Sequence, residues 1–257
     1  MSEMHDDIPE DMSDDMHERT RLLIGEEGLA RLARAHVLVA GLGGVGGACA
    51  EALCRAGVGR LSLLDHDHFS ASNLNRQLLA TREVLGRGKA EVAAERLRSV
   101  REDVVLEVRA QFLQPDEADG LMAEGRFDAV ADCIDSIACK AALIAACQRQ
   151  GVPVFSSLGA GGRTDVSQVR VGRLDKVEGC GLGRELRKRL RRLEQSLRVP
   201  VIHSTEPARG ALPHQASGTP DNPGRPRAIN GTISYMPNLF GMMLAGELLT
   251  RLLSEPA

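Results

Sequence analysis

The stretch from His36 to Asp67 constrains the fold more than any other part of the chain. It reads HVLVAGLGGVGGACAEALCRAGVGRLSLLDHD: an apolar run, a glycine turn, a helix of small residues and a second apolar run ending in acid. The turn has the spacing G-x-G-x-x-G, which lets backbone amides at a helix N-terminus approach phosphate oxygens. Its glycines are Gly41, Gly43, Gly44 and Gly46. Asp65 is placed to accept hydrogen bonds from ribose hydroxyls, so the stretch predicts a nucleotide site that suits NAD and ATP equally well.

Strand-like and helix-like segments alternate through the rest of the first 162 residues. GKAEVAAERLRSV, EADGLMAEG and KAALIAACQRQG are typical of helices, whereas VVLEVRAQF, DAVADCID and VPVFSSLGAGG are typical of strands. Such alternation predicts an α/β fold with a doubly wound, Rossmann-like, mostly parallel sheet. We expect residues 19–162 to form the nucleotide-binding core. Residues 1–18 are acid-rich with few large apolar groups, so we expect a disordered tail.

The sequence pattern changes after Gly162. A polar strand, TDVSQVRVGRL, precedes a basic helix from Gly183 to Arg198, the strand VPVIHSTEPA, a Gly/Pro/Ser-rich loop and an apolar terminal helix. We interpret residues 163–257 as a substrate-specific and dimer-forming extension of the same domain. Ser204, Thr205 and Glu206 either line the substrate pocket or form a turn at a strand end.

Composition limits the classes of protein to consider. The net charge of −3 gives no global argument for nucleic-acid binding, and no apolar run approaches the length of a membrane span. The acidic N-terminus is unlike a signal peptide, so we expect a cytoplasmic protein without membrane contact. The six cysteines form no C-x-x-C pair, which argues against zinc and against a redox pair. Cys180 alone lies in a context that suggests flexibility, and its role stays open.

Residues that follow Asp65 favour ATP over NAD. Polar and cationic side chains are concentrated between residues 73 and 89: Asn73, Asn75, Arg76, Gln77 and Lys89. Such groups suit a triphosphate that must expel pyrophosphate, because cations can stabilise the charge that develops in the transition state. Asp135 follows a strand at the sheet edge where ligands bind, and its carboxylate suits Mg²⁺. An NAD-binding oxidoreductase remains an alternative, and a non-catalytic scaffold would have little need for these groups.

Five motifs in a fixed order carry a family resemblance. GLGGVG, LLDHD, SNLNRQ, GKAEV and DCIDS resemble the adenylating domain of ubiquitin-activating enzymes and of bacterial enzymes that activate sulfur-carrier proteins. The resemblance implies that the glycine turn and Gln77 contact ATP, that Asp65 binds the ribose, and that Asp135 holds Mg²⁺. It places Asn73, Arg76 and Lys89 at the triphosphate. Arg21 matches an arginine that family members donate into the neighbouring subunit's ATP site, which implies a catalytic homodimer.

The C-terminal half resembles the branch of that family whose bacterial members dehydrate threonylcarbamoyladenosine in tRNA. The segments that carry this resemblance are GAGG, DKVEG, STEPAR and NGTISYMPNLFGMMLAGE, although Cys180-Gly181-Leu182 replaces the family's Asp-Pro-Leu. The implied reaction adenylates the threonine carboxylate, after which the substrate's ureido nitrogen closes a ring, so no protein cysteine is needed. A sulfur-transfer partner stays possible. The alternative is adenylation of the C-terminus of a sulfur-carrier or ubiquitin-like protein.

The basic helix offers physical support for an RNA substrate. Leu186, Leu190, Leu193 and Leu197 recur at helical spacing and are expected to face the core. Cations occupy the other faces, and we predict that those contacting tRNA are Arg184, Arg187, Lys188, Arg191 and Arg192. A charged helix is often only a solvated surface, and that alternative remains open.

Overall fold

The computed structural model describes residues 16–210, 212–215, 227–229 and 231–254. Seven strands form one sheet in the order β3-β2-β1-β4-β5-β7-β6, all parallel except β6, which runs antiparallel to β7. The strands are β1 (His36–Ala40), β2 (Arg60–Leu64), β3 (Val105–Arg109), β4 (Ala129–Asp132), β5 (Val154–Ser157), β6 (Val169–Arg173) and β7 (Pro200–Ser204). The predicted α/β, doubly wound fold is confirmed.

Helices cover both faces of this sheet. They are α1 (Glu18–Arg34), α2 (Gly44–Ala56), α3 (Lys89–Val100), α4 (Ala118–Gly125), α5 (Ile137–Arg149), α6 (Gly181–Arg192) and α7 (Tyr235–Ser254). One apolar cluster joins α1, α2, α3 and α7 to the sheet, and a second joins α4, α5 and α6 to it. Strands covered on both faces exclude water along their whole length, which explains why β1 is buried throughout and is apolar from Val37 to Ala40.

The strand order reverses at β1. The chain moves outward from β1 to β2 and β3, then returns to place β4 on the other side of β1. Crossover connections leave a crevice at such a point, beyond the carboxyl ends of the strands. The extension shares this sheet, because β6 and β7 continue it beyond β5 and α7 packs against α2.

Helix α6 is shorter than the sequence predicts. It ends at Arg192, and Glu194 has a φ of 55°, in the left-handed region. The chain must turn there to enter β7, which begins at Pro200, and residues preceding a proline disfavour helix. The predicted core face is therefore wrong at one position. Leu186 and Leu190 are buried and Leu197 is partly buried, but Leu193 is 44% exposed.

The N-terminal segment and the loop after β7 also differ from the sequence-based expectation. Helix α1 begins at Glu18, inside the predicted tail, and residues 1–15 lie outside the described residues. Gly25, with a φ of 72°, interrupts the helical geometry of α1. In the predicted Gly/Pro/Ser-rich loop, β8 (Leu212–Gln215) and β9 (Arg227–Ile229) pair antiparallel, and the residues between them are not described. No helix among the described residues has the length and apolarity to cross a membrane.

Candidate nucleotide-binding site

A pocket of about 460 Å³ lies beyond the carboxyl ends of β1, β2 and β4. Most of the side chains predicted for the nucleotide line it: Gly41, Gly43, Gly44, Asp65, Asn73, Arg76, Gln77, Lys89 and Asp135. These residues come from five separate segments of the chain. The sheet brings them together because parallel strands end at the same edge.

The glycine turn is sterically required. Gly41 has a φ of 89°, and a Cβ there would lie 2.9 Å from the carbonyl oxygen of Cys133. Gly46 does not line the pocket, but a Cβ on it would lie 1.7 Å from the carbonyl oxygen of Gly41. Helix α2 begins at Gly44, so its N-terminal amides and positive dipole end open onto the pocket. This arrangement suits phosphate groups.

Asp65 is held in place by the turn that it faces. Its Oδ2 accepts a hydrogen bond from the Leu42 amide at 2.7 Å, and its Oδ1 accepts one from the Asp67 amide at 2.9 Å. A carboxylate has about four acceptor positions, so the two oxygens can still accept hydroxyl groups of a ribose. The geometry is compatible with the predicted role.

The cationic wall of the pocket contains Lys89 and Arg76. Lys89 is the first residue of α3 and is 6% exposed, and its Nζ lies 3.1 Å from Asp67 Oδ2. Arg76 donates to the Ser72 carbonyl and to Asn75 Oδ1, both at 2.8 Å. Both cations already have oxygen partners at the pocket, so they are preorganised to exchange or share them with phosphate oxygens.

Two amides complete this wall. Asn73 is buried, and its Oδ1 accepts a hydrogen bond from the Ser70 amide at 3.1 Å. Gln77 is 6% exposed, and its buried Oε1 has no hydrogen-bond partner within the described chain. A buried acceptor without a donor is costly, so a ligand donor at this position would be stabilising.

Carboxylates offer oxygen ligands for a cation at the same pocket. Asp135 is exposed and lines it directly. Asp65, His66 and Asp67 have possible ligand atoms within 4.8 Å of one another. Asp135 is the carboxylate that the sequence predicts as an oxygen ligand of Mg²⁺, and its position at the pocket is compatible with that role.

Several pocket residues were missed by the sequence reasoning. Gln111, Phe112 and Leu113 form the wall beyond β3, and the Phe112 ring meets the His66 ring edge-on with centroids 4.8 Å apart. Ala160 and Gly161 lie in the GAGG segment at the end of the predicted core, whereas Thr232 and Pro237 come from the extension. The wall beyond β3 could have been found, because Gln111 and Phe112 end the predicted strand VVLEVRAQF and Leu113 follows it.

Ser204, Thr205 and Glu206 do not line the pocket. Glu206 Oε2 accepts hydrogen bonds from the Thr164 and Asp165 amides, both at 2.8 Å. Thr205 Oγ1 donates to Gln168 Oε1 at 3.1 Å. Of the two interpretations left open by the sequence, a structural turn is therefore the one that the geometry supports.

Cysteine chemistry is not favoured at the pocket. Cys180, expected to be flexible, is 6% exposed, and its Sγ accepts a hydrogen bond from the Gly183 amide at the start of α6. Cys133 lines the pocket, but a hydrogen bond with Cys49 and desolvation raise the pKa of its thiol. A protonated thiol is a poor nucleophile.

Arg21 lies outside the pocket formed by its own chain. Its Nε is 2.5 Å from Glu26 Oε1, and the side chain is 37% exposed. The next two residues on α1, Leu22 and Leu23, are each 85% exposed. An exposed apolar pair beside this arginine is compatible with a subunit contact.

Helix α6 presents its cations to solvent. It carries six cations and one acidic residue, and Arg184, Lys188, Arg191 and Arg192 are exposed. Arg187 is the exception among the predicted tRNA-binding residues. It is half-buried and donates to the Leu174 and Val177 carbonyls at 3.1 and 2.7 Å.

Comparison with known proteins agrees with this architecture. The model of the ThiF family matches residues 17–257. The chain is 35% identical to tRNA threonylcarbamoyladenosine dehydratase of Escherichia coli over 93% of both chains, and 28% identical to its Bacillus subtilis namesake over 92% of this chain and 94% of that one. A crystal structure of the Escherichia coli enzyme in complex with ATP superposes with a TM-score of 0.80 at 34% identity, covering 92% of this chain and 93% of that one.

A second group of relatives matches about half of the chain. An adenylyltransferase and sulfurtransferase of Bos taurus is 42% identical over 134 residues, which cover 52% of this chain and 29% of that protein. These matches do not favour the alternative of an NAD-binding oxidoreductase. From its sequence, its sheet and its pocket, the chain belongs to the ThiF family.

Proposed function

We propose that this protein is an ATP-dependent dehydratase of threonylcarbamoyladenosine in tRNA. The observation that carries the proposal is that a glycine turn, Lys89, Arg76 and Asp135 line the same pocket. The relatives that match over nearly their full length, and the ATP complex of one of them, support ATP as the nucleotide.

The chemistry follows from these groups. The threonine carboxylate attacks the α-phosphorus of ATP and pyrophosphate leaves, forming a carboxyl adenylate. Arg76, Lys89 and the amides of α2 stabilise the negative charge that develops on the phosphates. The ureido nitrogen then attacks the acyl carbon and AMP leaves, closing a hydantoin ring. The substrate has formally lost one water, and the nucleophile is its own nitrogen.

Mg²⁺ is the cation proposed for this pocket. Asp135 would hold it, because an exposed carboxylate at the pocket suits a hard cation that keeps several waters and phosphate oxygens. The bound ion would neutralise phosphate charge. The cysteine spacing gives no reason to propose a zinc ion.

The exposed cations of α6 are the proposed tRNA contact. Arg184, Lys188, Arg191 and Arg192 form a basic surface with little acidic compensation on the same helix. Phosphate contacts of this kind provide affinity that is independent of RNA sequence. Arg187 instead stabilises the segment that precedes α6.

A homodimer that shares its ATP sites is the proposed assembly, with Arg21 acting across the interface. Mixing Arg21→Ala protein with Asp135→Ala protein tests this directly. If Arg21 acts in trans, each mixed dimer has one intact site, so subunit exchange should restore about a quarter of wild-type activity. If Arg21 acts within its own chain, each site of a mixed dimer lacks either Arg21 or Asp135, so mixing should restore no activity, and that result would refute the shared site. Sedimentation of each variant alone supplies the control for dimer formation.

The decisive experiment incubates the protein with ATP, Mg²⁺ and tRNA that bears threonylcarbamoyladenosine. Nucleosides are then recovered without hydrolysis and analysed by mass spectrometry. Loss of one water per AMP formed is the expected result. An unchanged nucleoside would refute the proposal, whether or not ATP is bound.

A second candidate function is adenylation of a small carrier protein. A sulfur-transfer partner would act together with the enzyme in that case. It is favoured by the 42% identity to the Bos taurus adenylyltransferase and sulfurtransferase over 52% of this chain. Exchange of pyrophosphate into ATP that requires a carrier protein, and not tRNA, would establish it.

A further inference from the structure

Lys140 is a fully buried cation that the proposed chemistry does not use. It lies on α5, and both it and Asp132 have no exposed surface. Its Nζ lies 2.7 Å from Asp132 Oδ2, 3.0 Å from Ser156 Oγ and 3.0 Å from the Ser157 carbonyl oxygen. Ser156 Oγ also donates to Asp132 Oδ2 at 2.7 Å. We call Asp132, Lys140 and Ser156 the buried triad.

The buried triad joins two walls of the pocket. Asp132 ends β4 and its Oδ1 accepts a hydrogen bond from the Ile134 amide at 3.2 Å, inside the segment 133–136 that lines the pocket. Ser156 and Ser157 end β5, and the chain then reaches Ala160 and Gly161 on another side of the pocket. The Lys140 ammonium group therefore ties together the ends of two neighbouring strands, β4, from which the segment with Asp135 departs, and β5, from which the segment with Ala160 and Gly161 departs.

Stability alone gives a weak reason for such a group. The free energy needed to remove a carboxylate and an ammonium group from water offsets much of their Coulombic attraction. Proteins in which a buried ion pair is replaced by apolar residues are therefore often as stable. What an ion pair with full hydrogen bonding adds is a defined geometry, because each donor direction has one acceptor. The place where this geometry is imposed is the end of two neighbouring strands at the pocket.

We propose that Lys140, with Asp132 and Ser156, is a positioning group that holds the segment 133–136, and with it the Asp135 carboxylate, in register with the pocket residues Ala160 and Gly161. The proposal rests on the ATP-dependent function and on the role of Asp135 proposed above. Lys140 touches no reacting atom in this scheme. It acts on the reaction through the backbone that it ties together.

The test is the double variant Asp132→Asn/Lys140→Met, which removes both charges together and so leaves no unpaired buried charge. We expect the folded variant to form AMP with a kcat lowered about 10- to 100-fold, since a misplacement of about 1 Å can cost about 100-fold. The KM for ATP should change far less. The Mg²⁺ concentration for half-maximal activity should rise.

A second variant covers the outcome in which the first fails to fold. Ser156→Ala keeps the ion pair and removes only the hydroxyl that bridges it, so a smaller fall in kcat and a smaller shift in Mg²⁺ dependence are expected. The matched control is Arg101→Met/Asp103→Asn. Arg101 is also buried and bonds the Val58 carbonyl, but it lies at the opposite end of the sheet. The control should leave both quantities unchanged.

The outcomes separate the two proposals. Wild-type kcat and Mg²⁺ dependence in a folded double variant, or in Ser156→Ala if only that variant folds, would overturn the positioning role. Equal losses in the Arg101/Asp103 control would overturn it as well, because they would indicate general destabilisation. Asp135→Ala is measured in parallel. If Asp135→Ala is inactive while the triad variants keep wild-type activity, only the positioning proposal fails. If Asp135→Ala is active, Asp135 does not have its proposed role, and the positioning proposal fails with it.

Discussion

The basic surface of α6 makes a quantitative prediction about salt. We consider the variant in which Arg184, Lys188, Arg191 and Arg192 are all replaced by Gln, a residue with similar helix propensity, so that α6 is expected to remain folded. Each phosphate contact contributes about 0.7 to 0.9 to the slope of log affinity against log salt, so loss of all four should reduce the slope by about 3. Between about 50 and 200 mM salt, the affinity gap between the two proteins should shrink by about 1.8 decades.

The assay is binding of labelled tRNA measured by anisotropy at several salt concentrations. The matched control replaces four exposed arginines with Gln. Three lie on α1, α2 and α3, which cover the other face of the sheet, and one precedes α3: Arg34, Arg55, Arg98 and Arg82. Its slope should stay at the wild-type value. Parallel lines for the wild-type and α6 variants would refute the reasoning, because they would show that these side chains contact no phosphate and are only solvated.

Three further predictions concern single residues. Lys89→Met should lower AMP formation by about 100-fold or more with the fold intact, because one cation of the transition state is lost; a normal rate in a coupled pyrophosphate assay would contradict this. Cys180→Ser should retain turnover within about twofold, since serine also caps helices, and a large loss would indicate thiol chemistry. Although burial opposes it, hydrogen bonds from Ser62 and Arg60 lower the pKa of Glu107 to about 2. A lowered pKa stabilises the fold above the unfolded value near 4.5 and less so as pH falls towards 2. The difference in unfolding free energy between wild type and Glu107→Gln should therefore shrink over that range in denaturant titrations, and a constant difference would contradict the assignment.

The sequence by itself determined the fold class and much of the pocket. The alternation of apolar strands with helices required a doubly wound sheet, and the ends of its strands had to meet at one edge. Asp65, Lys89 and Asp135 could be assigned to that edge because each follows a strand or begins a helix in a recognisable motif. The glycine turn could also be predicted from the local sequence, since the backbone conformation of Gly41, with a φ of 89°, strongly favours glycine.

Only the tertiary structure decided where individual polar side chains go. Lys140 lies in an apolar helical pattern that does not indicate which acceptors surround it, yet it binds groups 8 to 17 residues away. Cys180 and Glu206 likewise became structural groups only because distant backbone amides reach them. Helix α6 ended early because β7 had to join the sheet. The periodicity of apolar residues predicts which face of a helix or strand is buried. Hydrogen-bond partners and helix ends depend instead on which other segments of the chain pack nearby.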